Sequence, residues 1–567
     1  MPGGLRGRSA PTGIPGHPNV IQPVIPSKST QAVVYGNAFS SGFLVMALEM
    51  LGSRYLIPYF GAGIYTWAAL ISTVLIALAT GYFIGGHVAD RIPSPFLLGT
   101  ILLLAAGWFA LTPMIAPTVL NGMFEAIEDE RYGALAGALG LLFIPMALLG
   151  GYSPSALRLV LRSSQDSGTV AGRIYGISTL GGIAGTLVPT FFLIPWAGIR
   201  AITYGLAVMA LLSGLPMFVL GIQSGRLRRS ISGRRAGKTG LTLIVALMVG
   251  GYSMPSGIAL GNPKENALDQ ESIRNLPNGI VEDRETEHTH IFIRKSGPYL
   301  MMTFRLRSSN HIESIINADN PRELSAPYTQ NLTAALLYVS SPKKLLMLGL
   351  GGGSTTRYMQ EYLPGLFIQA VELDVGVIDL AKKYFGIKES PRYRIVNRDA
   401  RVHLKRNMEK YDIIMADAFR GDRIPFHLLT REFYALVKSR LTAEGVLALN
   451  LVQGSKLFAS TISTLRMEFR TVEMYPIHGQ VVALALQSPP PPAALVERRA
   501  ERMQKQFGFY HDLRTIARRR RDLSLQGNRI VLTDDYAPVN ALQGYGQNPQ
   551  AQVDRIRMIL EDHKASR

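Results

Sequence analysis

Three acids stand where apolar runs end in the second half of the chain. Glu372 closes the run 366–373, Asp399 follows Tyr393–Val396, and Asp417 follows Tyr411–Ala416. If these runs are parallel strands of one open sheet, the acids meet in a single crevice, because ligands bind at strand carboxyl ends where the strand order reverses. The first acid can accept both hydroxyls of a ribose, and the second can contact an adenine amino group. The third falls nearest a reacting centre, where a carboxylate can take a proton. Ahead of them lies LMLGLGGGSTTR, in which Leu345–Leu348 reads as a buried strand and Ser354–Tyr362 as a helix. Between the two stand Gly349, Gly351, Gly352 and Gly353. Glycine lets the backbone turn tightly against a ligand, and a helix N-terminus offers unpaired N–H groups. Glu372 comes about 20 residues after the glycines, the spacing a nucleotide-binding βαβ unit requires.

The elements that position these residues follow the same alternation. Helices are expected over 375–385, 400–408 and 430–441, with a further strand over 445–451. Upstream, Thr289–Ile293 and Tyr299–Phe304 flank Lys295-Ser296-Gly297-Pro298, which reads as a β-hairpin. A small antiparallel sheet therefore precedes a Rossmann-like domain, and Pro327–Tyr338 is expected to form a helix leading into its first strand.

The first half is of another kind. Starting at Val33, seven apolar stretches are long enough to cross a bilayer, at about 33–60, 62–86, 96–117, 133–155, 174–196, 199–221 and 240–260. Division of the chain follows: a tail over 1–30, a membrane domain over 31–261, a linker and small sheet over 262–325, the nucleotide fold over 326–545 and a tail over 546–567. Small residues at Gly172/Gly176 and Gly181/Gly185 allow close helix packing, and Pro58, Pro113, Pro145, Pro189 and Pro195 imply kinks or ends. Glu49 lies inside the first span, where an ionised carboxylate is costly unless paired or facing a cavity, and Arg54 is its candidate partner. A faint repeat sets Tyr35-Gly36 and Leu56-Ile57-Pro58-Tyr59-Phe60-Gly61 against Tyr175-Gly176 and Leu193-Ile194-Pro195-Trp196-Ala197-Gly198. Such an echo fits a parallel repeat of the transporter sort. The segment Gly85–Arg91 also resembles the loop after the second helix of major facilitator transporters.

Composition narrows the function. The formal net charge is +19, but hydrophobic residues make up 47% and cluster ahead of Gly261, so much of the basic excess reads as membrane-side charge. Arg518–Arg521 lacks interleaved aromatic residues and reads as a solvated helix face or a lipid-facing patch, not as a nucleic-acid platform. With no cysteine and ten scattered histidines, neither disulfides nor a metal site is expected.

Taken together, the small sheet, LMLGLGGGSTTR, VELD, NRDA, IIMADAF and LLTREFYALVKSRLTAEGVLALN resemble the spermidine synthases, or polyamine aminopropyltransferases. The late segment Leu532–Val539 resembles the ending of their membrane-fused branch. The resemblance implies decarboxylated S-adenosylmethionine as donor, with S-adenosylmethionine the alternative, and an amine or other nucleophilic acceptor. Gly349, Gly351, Gly353, Glu372 and Asp399 would hold the nucleoside, and Asp417 would be the base. Tyr328, Gln330, Asp534 and Asp535 would serve the acceptor. The lipid bilayer is the other implied partner, nucleic acid is not one, and a homodimer is compatible with the family.

Departures fall at the substrate. Gly352 stands where the family has an aspartate, Arg420 follows Asp417 where a second acid belongs, and Gln330 replaces a glutamate. A diamine is held by carboxylates, so these changes disfavour putrescine electrostatically. A methyltransferase, or a transporter whose C-terminal domain senses a nucleoside without turnover, are the competing expectations. Multi-pass insertion in a cell membrane is expected in each case. Basic loops at Arg158–Arg173 and Arg226–Lys238 and the acidic loop Glu125–Glu130 put the N-terminus in the cytoplasm. Seven crossings then leave the C-terminal domain outside, whereas donor supply argues for the cytoplasm.

Overall fold

The computed structural model describes residues 28–161, 164–223, 267–304, 312–418, 424–523, 525 and 529–543. Its first part is a bundle of long apolar helices: α1 (Lys28–Phe60), α2 (Ile64–Arg91), α3 (Pro95–Ala126), α4 (Glu130–Gly150), α5 (Tyr152–Val160), α6 (Ser167–Val188), α7 (Ile194–Trp196) and α8 (Ile199–Gln223). A π-helical turn, Pro189–Leu193, joins α6 to α7. With α4–α5 and α6–α7 each counted as one segment, six are long and apolar enough to cross a membrane. The expected stretch 240–260 lies outside the described residues.

Packing pairs α1 with α6, α2 with α4 and α3 with α8. Gly181 and Gly185 press on the α1 backbone at Phe39 and Phe43, where any side chain would collide. Gly172 and Gly176 have open space beside them, so the small-residue spacing works at only one of its two expected places. Glu49 and Arg54 form no ion pair. Five residues apart on one helix, they lie on different faces, and Arg54 instead stacks on the Phe426 ring at 4.3 Å.

The second part opens with a four-stranded antiparallel sheet in the order β1 (Gly279–Glu285), β2 (His290–Ser296), β3 (Tyr299–Phe304), β4 (Ile312–Asn317). A seven-stranded sheet follows, built from β5 (Lys344–Leu348), β6 (Phe367–Glu372), β7 (Tyr393–Asn397), β8 (Tyr411–Ala416), β9 (Leu441–Val452), β10 (Thr471–Ile477) and β11 (Gln480–Leu486). Its order is β10-β11-β9-β8-β5-β6-β7, parallel from β9 to β7 and antiparallel at the β10–β11 edge. Alternate residues of β5 feed two cores: Leu345 and Met347 on one face, Leu346 and Leu348 on the other. Both faces are thus covered, as a parallel sheet requires. The strand order reverses between β5 and β8, so the crevice opens past Leu348 and Ala416. The expected architecture, apolar helices followed by a Rossmann-like α/β domain with a small antiparallel sheet, is the one observed.

Loops 61–63, 127–129 and 197–198 lie at the end of the bundle that meets this α/β domain. There Arg398 pairs with Glu130 at 2.8 Å, and Arg406 donates to the carbonyls of Phe124 at 3.2 Å and Ile127 at 2.8 Å. The Lys405 ammonium sits 3.8 Å from the Tyr59 ring. Asp535 caps α8, its carbonyl accepting from Ile199 N and its carboxylate from Arg200 N, both at 2.8 Å. The two halves of the sequence repeat reach this seam together: a β-carbon on Gly61 would stand 3.0 Å from Asp399 Cβ, and one on Gly198 would collide with the Asp535 carboxylate.

The run Arg518–Arg521 is divided: Arg518 and Arg521 are exposed, as a solvated face requires, while Arg519 and Arg520 are half-buried against the domain. Arg519 donates to Asn331 Oδ1 at 2.9 Å, Arg520 pairs with Glu473, and Arg521 N–H donates to the Met474 carbonyl.

Candidate active site

The crevice is built outward from the end of β5. Gly349 has φ +93°, and a β-carbon there would lie 2.6 Å from the Asp417 carbonyl oxygen. Only glycine lets the ends of β5 and β8 approach so closely. Leu350 N and Gly351 N both point at Glu372, whose Oε2 accepts from them at 2.9 and 3.4 Å. Glu372 Oε1 accepts from Asp374 N at 3.1 Å, so one side chain fixes the glycine loop and the following turn. Burial pushes the Glu372 carboxyl up from its ordinary value, against these three N–H donors.

Asp399 caps the helix Ala400–Arg406, accepting from Arg401 N at 2.9 Å and Val402 N at 3.1 Å, and its Oδ2 meets His427 Nε2 at 3.0 Å. Burial alone would raise this carboxyl, but the imidazole and the helix N–H groups hold it below its ordinary value. Asp417 accepts from Asn450 Nδ2 at 3.1 Å and from the Tyr328 phenol. Burial dominates there and raises its carboxyl above the ordinary range.

A cavity of about 1000 Å³ joins these groups. Glu372, Asp399, Asp417, Gly349, Gly351 and Tyr328 all line it, so most of the residues picked out by the strand-end pattern share one space. Gly353 sits at the start of the helix Ser354–Tyr362, just beyond that lining. Three expected acceptor groups do not line it. Gln330 turns its amide to the Leu324 carbonyl at 3.1 Å, with Arg519 on its oxygen. Asp534 forms a bidentate pair with the buried Arg401 at 2.7 and 2.5 Å and accepts from Thr430. Asp535 is taken by the α8 cap. Each is held by a stronger local partner than a solvated turn would supply, which the sequence pattern did not reveal. Arg420, and with it Asp422, an acid that could offset its charge, lies outside the described residues.

Two cavity residues escaped the sequence reading. Glu313 on β4 lines the space and adds a negative field at the Tyr328 phenol. Asn450 holds Asp417 in place, and a lone polar residue inside the apolar strand Ala448–Leu451 was the available sign. Gly352 has a clear reason to be small, since a β-carbon there would stand 2.6 Å from Phe385 Cδ1. Its N–H instead donates to Ser314 Oγ at 2.7 Å, tying the glycine loop to the small sheet. The bundle supplies the remaining wall through Arg54, Ala62, Thr190, Ile194 and Pro195.

Comparison with known proteins identifies the family of the C-terminal half. Residues 327–474 match the spermine/spermidine synthase domain. The chain is 29% identical over 278 residues to the polyamine aminopropyltransferase of Vibrio vulnificus, covering 47% of this chain and 91% of that one. With the polyamine aminopropyltransferase of Chromobacterium violaceum it shares 32% identity over 207 residues, 35% of this chain and 79% of the other. A shorter match, 31% over 158 residues, is to the human eEF1A lysine and N-terminal methyltransferase, spanning 26% of this chain and 23% of that protein.

Proposed function

This chain belongs to the polyamine aminopropyltransferase family, and on that premise we propose that it is a membrane-bound transferase of the aminopropyl group from decarboxylated S-adenosylmethionine to an amine. The observation that carries the proposal is Asp417: a half-buried carboxyl with a raised pKa, held by Tyr328 and Asn450 at the end of β8 and lining the cavity that Glu372 borders. The nucleoside would lie between the glycine loop and Glu372, with Asp399 at its base edge. Asp417 would take a proton from the attacking amine, and most of the acceleration would come from positioning.

With the Gly352 position closed by Phe385 and Gln330 turned away, the carboxylates expected to hold a diamine are reduced. That reduction favours methyl transfer from S-adenosylmethionine as the second reading. We take 31–261 as the membrane portion and 326–545 as the catalytic portion. The acidic loop Glu125–Glu130 lies at the end that meets the catalytic domain, whereas Arg158–Arg173 spans the loop at the other end. By the positive-inside rule the catalytic face is then the outer one.

The test uses the purified full chain in lipid nanodiscs with each donor and a panel of amines. Methylthioadenosine release from the decarboxylated donor supports the proposal, and S-adenosylhomocysteine from S-adenosylmethionine supports the second reading. Neither product, with the donor bound by calorimetry, refutes turnover.

A further inference from the structure

The corner of the cavity around Asp399 is walled from both halves of the chain. Asp399 meets His427 at 3.0 Å, the His427 and Phe426 rings lie edge to face with centroids 5.8 Å apart, and the Arg54 guanidinium stacks on Phe426 at 4.3 Å. All four residues line the same space. Arg54 comes from α1, the other three from the α/β domain. Seven residues after Arg54, where α1 ends, a β-carbon on Gly61 would stand 3.0 Å from Asp399 Cβ. Seven residues make nearly two whole helical turns, so the side of α1 that carries Arg54 is the side that runs down to Asp399.

An adenine calls for hydrogen bonds of both kinds: its amine donates, and its ring nitrogens accept. An ionised carboxylate only accepts, at about four positions. Asp399 therefore suits the amine, with three of those positions already taken by Arg401 N, Val402 N and His427 Nε2. A ring nitrogen needs a donor instead. Two arginines line the cavity among the described residues. Arg398 is paired with Glu130 at 2.8 Å, whereas Arg54 has no ion pair among those residues. Stacking occupies the face of a guanidinium and leaves the N–H groups at its edge free to donate.

We propose that Arg54 is a donor-binding residue supplied by the membrane helix. Its guanidinium, laid against Phe426, donates to a ring nitrogen of the adenine whose amine meets Asp399. The assignment rests on the adenosyl-donor reading above, and it makes the bundle part of the nucleoside site.

The full chain in lipid nanodiscs is titrated by calorimetry with methylthioadenosine and with its 1-deaza, 3-deaza and 7-deaza analogues, each of which has one ring nitrogen replaced by C–H. In the unmodified protein the analogue lacking the nitrogen that Arg54 meets should bind about tenfold or more weakly, the loss expected for a hydrogen bond to a charged group. In Arg54→Met, methylthioadenosine itself weakens by that factor and the same analogue carries no further penalty, because both changes remove one interaction. Arg54→Lys keeps the cation but not the fork, so its penalty is intermediate; it carries the test if Arg54→Met does not fold. Each penalty is a ratio taken within one protein, so a merely structural role for Arg54 does not move it. Equal affinity for all four compounds in the unmodified protein, or penalties unchanged in the variants, overturns the proposal: Arg54 then only pins α1 to Phe426, and the adenosyl-donor reading stands. No binding of methylthioadenosine to the unmodified protein overturns both.

Discussion

Replacing Tyr328 with Phe probes the proposed base, Asp417, without removing it. The phenol and Asn450 Nδ2 both donate to the Asp417 carboxylate, whose pKa burial has already raised. The anion is the form that accepts a proton, so turnover falls as pH drops through this pKa. A hydrogen bond to a charged group contributes about 1.5–3 kcal/mol, and one pKa unit corresponds to about 1.4 kcal/mol. Tyr328→Phe withdraws that stabilisation from the anion and not from the acid, so the Asp417 pKa should climb by a further 1–2 units or so. In kcat/KM against pH, followed as methylthioadenosine release, the acid limb moves to higher pH by the same interval while a plateau survives above it. Asp417→Asn instead lowers kcat at every pH, by about 10²–10⁴-fold. An acid limb that stays put in Tyr328→Phe, with the plateau intact, would show that the titrating base is some other group.

Three further outcomes are expected. Arg401→Met leaves Asp534 without its bidentate partner in a nearly buried site, so unfolding in denaturant should show a loss of about 3–5 kcal/mol; an unchanged midpoint would mean that water replaces the pair. Gly61→Ala sets a side chain at φ +79° against Asp399, costing about 1–2 kcal/mol and weakening donor binding measured by calorimetry, whereas equal affinity would show that the seam does not reach the nucleoside. His403 and His511 are held at about 4, mainly by burial, and His511 Nε2 accepts from Leu324 N, a role for the neutral ring. Unfolded histidine titrates near about 6.5, so the unfolded chain binds more protons between the two values. The stability these rings contribute, up to about 3 kcal/mol each, is complete above about pH 6.5 and disappears as pH falls through 4. Denaturation midpoints that stay flat from pH 7 to 4 would contradict it.

The strand ends were legible because period and punctuation coincide there: apolar runs of strand length, each closed by glycine or an acid, dictate a parallel sheet whose reversal point gathers them. What a carboxylate does once it arrives was less legible. Asp399 and Asp534 look alike in sequence, but one borders the cavity while the other is claimed by Arg401, a partner 133 residues away. Glu313 was hidden for a related reason, since a single acid in a short strand carries no periodic sign of the face it occupies. The basic run Arg518–Arg521 was half legible: Arg518 and Arg521 are exposed, but local charge density says nothing about Asn331 and Glu473, which become partners of Arg519 and Arg520 only when the helix Pro327–Leu332 and β10 are in place. In the bundle, spacing located the glycines but not the partner helix, so Gly181 and Gly172 were indistinguishable until α1 lay against one of them.

One wall of the cavity comes from the ends of α1 and α7, so the C-terminal half by itself does not carry the whole candidate site. Cutting the connection after Gln223 would not liberate a smaller soluble catalyst; it would open the chamber on the side where Arg54 and Ile194 stand.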